Sequence, residues 1–223
     1  MTKTLFITGA STGIGAATAR AAVAAGWNVG LMARSADKLD TLTKELGDNA
    51  LALSGDATDL AAQEDAVRRT VERFGTLDAA FANAGTGLDK PGTEGGDPDE
   101  WRKLVDLNVM GVLYTARATL PELRKTRGHL LLTGSAAGRN HIKGSIYSAS
   151  KWFVHGYAGN MSEEMREWGG RCTLISPGMV DTPFFDEAKP DKLKPEDVAG
   201  AVMFAISQDP RAEVREVHVM PTG

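Results

Sequence analysis

The chain has 223 residues, 42% hydrophobic and 24% charged, which is enough apolar material for a sizeable core and excludes a disordered chain. Its 25 basic and 29 acidic residues leave a net charge of −4, against a general nucleic-acid binder, which would carry a basic excess. Cys172 is the single cysteine, so an intrachain disulfide and a cysteine metal cluster are excluded.

Taken in chain order, short β-rich runs fall at residues 4–8, 28–33, 50–54, 78–82, 129–133, 171–175 and 214–219. Segments with helical spacing lie between them at 14–25, 36–46, 60–74, 100–123, 145–168 and 195–207. Strands alternating with helices of ten or more residues predict right-handed βαβ units around a parallel sheet. Runs such as Leu130-Leu131-Leu132 are apolar throughout, as a sheet covered on both faces requires. The length fits one domain, 1–223. No stretch approaches the ~18 uninterrupted apolar residues of a membrane span, and the first apolar run is too short for a signal peptide. The expectation is a cytoplasmic protein with no membrane and no nucleic-acid partner.

The first run leads into Thr8-Gly9-Ala10-Ser11-Thr12-Gly13-Ile14-Gly15, where a helix opens. A glycine-rich turn there lets backbone amides approach a pyrophosphate, and the helix N-terminus favours its charge. The same glycines also serve tight helix-on-strand packing. The second run ends Ala33-Arg34-Ser35, without the carboxylate that would hydrogen-bond an adenosine 2′-hydroxyl. Arg34 offers a planar cation suited to a 2′-phosphate, with Ser11 a possible hydroxyl donor beside it; loop arginines are also often simply solvated. Residues 85–99 hold five glycines and two prolines and read as a rim loop after the fourth strand. Residues 182–194 read as a second such loop, beside a ligand at the carboxyl edge of the sheet.

Tyr147 and Lys151 stand four apart near the start of a long helical segment, hence on one face. A phenol is a poor base at neutral pH, and a nearby cation stabilises its phenolate. Ser135, just after the fifth strand, is placed to hydrogen-bond a substrate oxygen. Packing alone also produces such Tyr–Lys pairs. His141 and His155 have no partners at ligand spacing and are read as surface or rim residues, so no metal is expected. Trp152, Phe153 and Tyr157 are read as core or subunit-interface residues, and Cys172 as a buried small hydrophobe.

With these motifs in order, the chain resembles the classical short-chain dehydrogenase/reductase family over essentially its whole length. Residues 8–15 match the Thr-Gly-x3-Gly-x-Gly cofactor motif, assigning Gly9, Ser11, Thr12, Gly13, Ile14 and Gly15 to cofactor binding. Asp56-Ala57 match the pair beside the adenine ring, and Asn83-Ala84-Gly85 the motif that ends the fourth strand. Asn108, Ser135, Tyr147 and Lys151 match the catalytic tetrad. Pro177, Gly178, Val180 and Thr182 fall in the segment that holds the nicotinamide carboxamide.

The resemblance implies a single-domain, doubly wound α/β fold with a seven-stranded parallel sheet, order 3-2-1-4-5-6-7. It implies NADP(H), favoured over NAD(H), and a small alcohol or carbonyl substrate. Tyr147 would move the proton, Lys151 would lower its pKa and bind the nicotinamide ribose, and Asn108 would anchor a water. It further implies a homotetramer or homodimer. A cofactor-binding regulator without turnover is the competing reading, opposed by the complete tetrad; an epimerase or dehydratase is opposed by the short C-terminal part. Two departures bear on the substrate. The Ser135-to-Tyr147 interval is one residue shorter than in many relatives, and only twelve residues separate Thr182 from Pro195. The substrate loop is placed near 179–194.

Overall fold

The computed structural model describes residues 2–90, 92–185 and 187–222. Seven strands, β1 (Thr4–Thr8), β2 (Asn28–Ala33), β3 (Ala50–Ser54), β4 (Ala79–Ala82), β5 (His129–Thr133), β6 (Arg171–Pro177) and β7 (Glu216–Val219), form one sheet. The order is β3-β2-β1-β4-β5-β6-β7, and every pairing is parallel. Seven helices connect them: α1 (Gly13–Ala24), α2 (Ala36–Leu46), α3 (Leu60–Phe74), α4 (Pro98–Val105), α5 (Gly111–Thr126), α6 (Ile146–Arg166) and α7 (Pro195–Ser207).

Side-chain alternation along the strands builds two cores. Leu5, Ile7, Leu31, Phe81 and Ile175 pack against α1, α2 and α7. Their neighbours Phe6, Ala80, Leu130, Leu132 and Leu174 pack on the other face against α3, α5 and α6. The expected doubly wound architecture and strand order are what the chain adopts. Because all strands run the same way, every β-to-α loop opens at one edge, and the crossing point between β1 and β4 leaves a crevice there. No described helix is long and apolar enough to cross a membrane.

Element limits agree with the sequence reading except in a few places. The segment expected as one helix over 100–123 is two helices joined by a π-helical turn, Asp106–Met110. Pro98 and an Asp97 cap that accepts from the Asp99 N–H start the first of them early. The wide turn inserts an extra residue in the helix and rotates Asn108 inward. The β4 strand starts one residue later than expected, at Ala79. The β6 strand runs two residues further, to Pro177, and β7 begins two residues later. Cys172 is buried, as expected. Trp152 and Phe153, expected in a core or interface, stand substantially exposed on α6, whereas Tyr157 is half-buried.

At the far edge of the sheet, the buried His129 ring holds Thr173 Oγ1 at 2.7 Å through Nε2. Thr173 donates its own proton to the Val214 carbonyl, so Nε2 carries the imidazole proton. Nδ1 is buried without a partner. Protonation would place an N–H where nothing accepts it, and burial, with the nearby Arg171 charge, pushes the His129 pKa down to about 3. Its folded-state pKa thus lies below the unfolded value of about 6.5. The stability it contributes is whole above that pH and declines as pH falls towards 3. Urea unfolding at a series of pH values should show wild-type stability falling between pH ~6 and ~4 by up to ~1.4 kcal/mol per unit more steeply than in His129→Asn. Equal slopes would contradict the neutral, buried imidazole.

Candidate active site

The glycine-rich turn after β1 is shaped by what packs behind it. Gly9 has φ +64°, and a Cβ there would sit 2.8 Å from Ala84 Cα, so neither the backbone angle nor the space admits a side chain. Asn83 holds the turn from β4. Its side-chain amide donates to the Thr8 and Gly9 carbonyls at 3.1 and 3.2 Å, while its own backbone N–H donates to Thr8 Oγ1 at 3.1 Å. The Ala84 N–H donates to the same oxygen, and Asn83 Oδ1 accepts from Thr133 Oγ1 of β5 at 3.5 Å. The ends of β1, β4 and β5 are thereby tied together.

A cavity of about 960 Å³ opens over this edge. One end lies over the turn and the end of β2. There Thr12 begins α1 without a side-chain cap, and the first turn holds no acid, so helix N–H groups face the cavity with their partial positive charge. Ser11, Arg34 and Ser35 line this end. So does Lys38, which the sequence reading missed, although it lies four residues beyond Arg34 where a helix begins. Arg34 is exposed and has no ion pair or hydrogen bond among the described residues. Asp56 also lines the cavity, with its carboxylate accepting from the Thr58 N–H and hydroxyl, both at 2.9 Å. The buried Ala57 beside it gives its carbonyl to Gln63 Nε2 at 2.7 Å.

The other end lies over β5 and β6, three strands from β2 and so roughly 15 Å away. Lys151 is 4% exposed, and its Nζ donates to the Thr133 carbonyl at 2.8 Å. Burial draws its pKa down to about 8. The ammonium lies 5.7 Å from the centre of the Tyr147 ring, one helical turn away. The sequence reading has Lys151 lowering the phenol; here burial raises the Tyr147 pKa above its ordinary value, and a hydrogen bond with Ser135 pulls it partly back. Ser135 Oγ accepts from the Ala137 N–H at 3.1 Å, which aims the hydroxyl proton towards the phenol side. Ser148, one residue beyond Tyr147, donates to the Ala137 carbonyl at 2.8 Å and so fixes this turn against α6.

Asn108 is fully buried. It accepts from the Thr86 N–H and donates to the Thr86 carbonyl, both at 2.9 Å, and its Nδ2 meets Ser150 Oγ at 3.2 Å. Ser150, another residue the sequence reading missed, in turn donates to the Tyr147 carbonyl. The Asn108 amide is thus committed to protein partners, and it holds the loop after β4 against the helix that carries Tyr147 and Lys151. Gly85, Pro177, Gly178, Val180 and Thr182 line the cavity between its two ends. Thr182 reaches back to the turn, where its methyl would lie 3.2 Å from a Cβ on Gly13.

His141 and His155 lie outside the cavity. His141 is exposed and stacks on Trp152, which in turn meets His155. Phe184, Phe185 and Met220 do line it and were not singled out in the sequence. The adjacent phenylalanines in a polar loop were a readable signal. Met220 was not, because its placement requires β7 to lie beside β6.

A family model described as short chain dehydrogenase matches residues 3–193. The chain belongs to the short-chain dehydrogenase family. An uncharacterised oxidoreductase of Staphylococcus saprophyticus is 37% identical over 98% of this chain and 97% of its own length. The alcohol dehydrogenase of the archaeon Thermococcus sibiricus, solved with 5-hydroxy-NADP, superimposes with a TM-score of 0.91 at 30% identity, covering 100% of this chain and 97% of its own. The 3-ketoacyl-(acyl-carrier-protein) reductase of Brucella melitensis, solved with NADH, gives 0.90 at 27% identity, covering 99% and 97%. This short-chain dehydrogenase is accordingly an oxidoreductase of the class acting on CH–OH groups with a nicotinamide dinucleotide.

Proposed function

We propose that this enzyme interconverts a small alcohol and its carbonyl compound with NADP(H), using the Tyr147 phenol as the proton donor and acceptor. The observation that carries the reading is the convergence of Tyr147, Ser135 and the buried Lys151 at one end of a cavity whose other end is cationic. A cofactor-binding regulator would leave that convergence without use.

The residues present fit the dinucleotide. Its pyrophosphate suits the uncapped start of α1, and a 2′-phosphate suits Arg34, with Ser11 and Lys38 beside it. Asn83, Ala84 and Gly85, with Gly178, Val180 and Thr182, line the path between the two ends. The two relatives differ in the dinucleotide they were solved with, so the preference for NADP(H) rests on Arg34 and on the missing carboxylate after β2.

When bound, the dinucleotide supplies or accepts the hydride. In the reducing direction, Tyr147 releases its proton to the substrate oxygen, and its raised pKa keeps that proton available at neutral pH. The Ser135 hydroxyl, its own oxygen already accepting from Ala137, donates to the same substrate oxygen as charge develops there. The phenolate left behind lies beside the Lys151 charge. Asn108 and Ser150 act as positioning residues, fixing α6 against the loop after β4.

Tyr147→Phe keeps the ring and removes the transferable proton. Its turnover should fall by at least ~10²–10⁴-fold, with NADPH affinity within a few-fold of wild type by fluorescence titration. More than a tenth of wild-type kcat would exclude Tyr147 as the proton donor. For Arg34→Ala, NADPH affinity should fall by ~10- to 100-fold, as expected for a charge-assisted phosphate contact, and NADH affinity should hardly change. The difference should shrink as salt rises. A wild type that binds NADH as tightly as NADPH, or a variant that keeps the full preference, would refute the assignment.

A further inference from the structure

The loops at the Tyr147 end differ in character from the rest of the cavity. Phe184 is 44% exposed and leans over the site, its ring 5.7 Å from that of Tyr147 and tilted by 57°. Phe185 supports it edge-on at 5.1 Å. Across the opening, the Phe184 ring tip comes within 3.1 Å of where a Cβ on Gly87 would stand. Phe184 therefore bridges from the loop after β6 to the loop after β4. The absence of a side chain at Gly87 is what lets the ring reach across. Met179 and Met220, 42% and 50% exposed, continue the apolar rim.

The charges at this end are equally one-sided. Among the described residues, the cations that line the cavity are Arg34, Lys38 and Lys151. The first two belong to the β2 end, and Lys151, 4% exposed, donates one of its N–H groups to the Thr133 carbonyl. Asp89, an anion, lines the cavity from the loop after β4, two residues beyond the Gly87 that Phe184 meets. The other bases of the surrounding loops are directed elsewhere or stand outside the lining. Arg139 is paired with Glu216 and Lys189 with Glu187, while Lys143 is exposed and outside the cavity wall. A carboxylate or phosphate on the substrate would lose its water here against the Phe184 ring, and among the described residues the one lining cation at this end is the nearly buried Lys151, already held at the Thr133 carbonyl.

We infer that the substrate of this enzyme is an uncharged carbonyl compound or alcohol whose apolar substituent packs against Phe184, and that anionic oxo or hydroxy acids are rejected. This substrate class rests on the reaction proposed above. It makes Phe184 the residue that sets specificity, through apolar contact on one side and the exclusion of charge on the other. The segment 179–194, short as it is, then serves as the substrate loop chiefly through this one ring.

The test uses pairs that differ in charge at the same carbon skeleton: acetoacetate with its ethyl ester, and benzoylacetate with its ethyl ester. Binding is measured calorimetrically to the protein saturated with NADP⁺, where a ketone finds no reductant. Turnover is followed separately by loss of NADPH absorbance. Each ester should bind at least ~10-fold more tightly than its acid and have kcat/KM at least ~100-fold higher, with the benzoyl ester the better of the two. Phe184→Arg should narrow the ester-to-acid ratio by ~10-fold or more, and Phe184→Leu should preserve it while reducing the advantage of the benzoyl group. An acid that binds as tightly as its ester, or the failure of both esters to bind, would overturn the inference. Esters that bind selectively without being reduced would uphold the substrate class and refute the proposed reaction.

Discussion

The site depends on one hydrogen-bonded tie across the carboxyl ends of three parallel strands. Asn83 joins the Thr8 and Gly9 carbonyls of the first turn to the Thr133 hydroxyl of β5, and the Thr133 carbonyl receives the Lys151 ammonium. Four hydrogen bonds thus connect the glycine turn to the lysine beside the Tyr147 phenol. Parallel strands cannot be closed by tight hairpins, so the relative position of their ends is left to side chains. Where Asn83 makes these bonds, buried polar atoms are satisfied and the crevice between β1 and β4 keeps its width. Without it, the Thr8 and Gly9 carbonyls would lose these partners at the edge of the cavity.

The second constraint is electrostatic. Lys151 is buried with no ion-paired carboxylate among the described residues, and burial draws its pKa down to about 8. A lysine is rarely placed so unless its charge has use. The group best placed to benefit is the Tyr147 phenol, itself raised by burial. With the ammonium 5.7 Å from the phenol ring, a charged Lys151 would make the phenol proton easier to remove.

The sequence carried the architecture in unusual detail because period and punctuation agreed. Short apolar runs such as Leu130-Leu131-Leu132 fit a strand covered on both faces, and the helices between such runs are long enough for crossovers. The break in the 100–123 segment was not legible. A π-helical turn has no composition signal, and residues 105–111 (Val-Asp-Leu-Asn-Val-Met-Gly) continue a helical pattern without a proline at the break. At the site, Tyr147 and Lys151 stood out because their spacing places them on one face whatever the tertiary packing. Lys38 and Ser150 belong to the same cavity or its support, yet each depends on how a helix docks. A one-dimensional pattern does not record that. The same limit applied to Asn108, whose position was marked but whose commitment to Thr86 and Ser150 appears only in three dimensions.

The account's central claim is that the Lys151 charge governs the proton on Tyr147. Its most direct test is the pH dependence of kcat/KM for oxidation of an alcohol, compared between wild type and Lys151→Met, with thermal melting to verify that the variant is folded. With Tyr147 as the proposed proton acceptor, oxidation would need its phenolate, and activity should fall as acid protonates it. Removing the neighbouring cation raises the phenol pKa further. The account predicts that the acid limb moves to higher pH in the variant. A limb at the same pH, with only weaker dinucleotide binding, would contradict it and leave Lys151 as a binding residue alone.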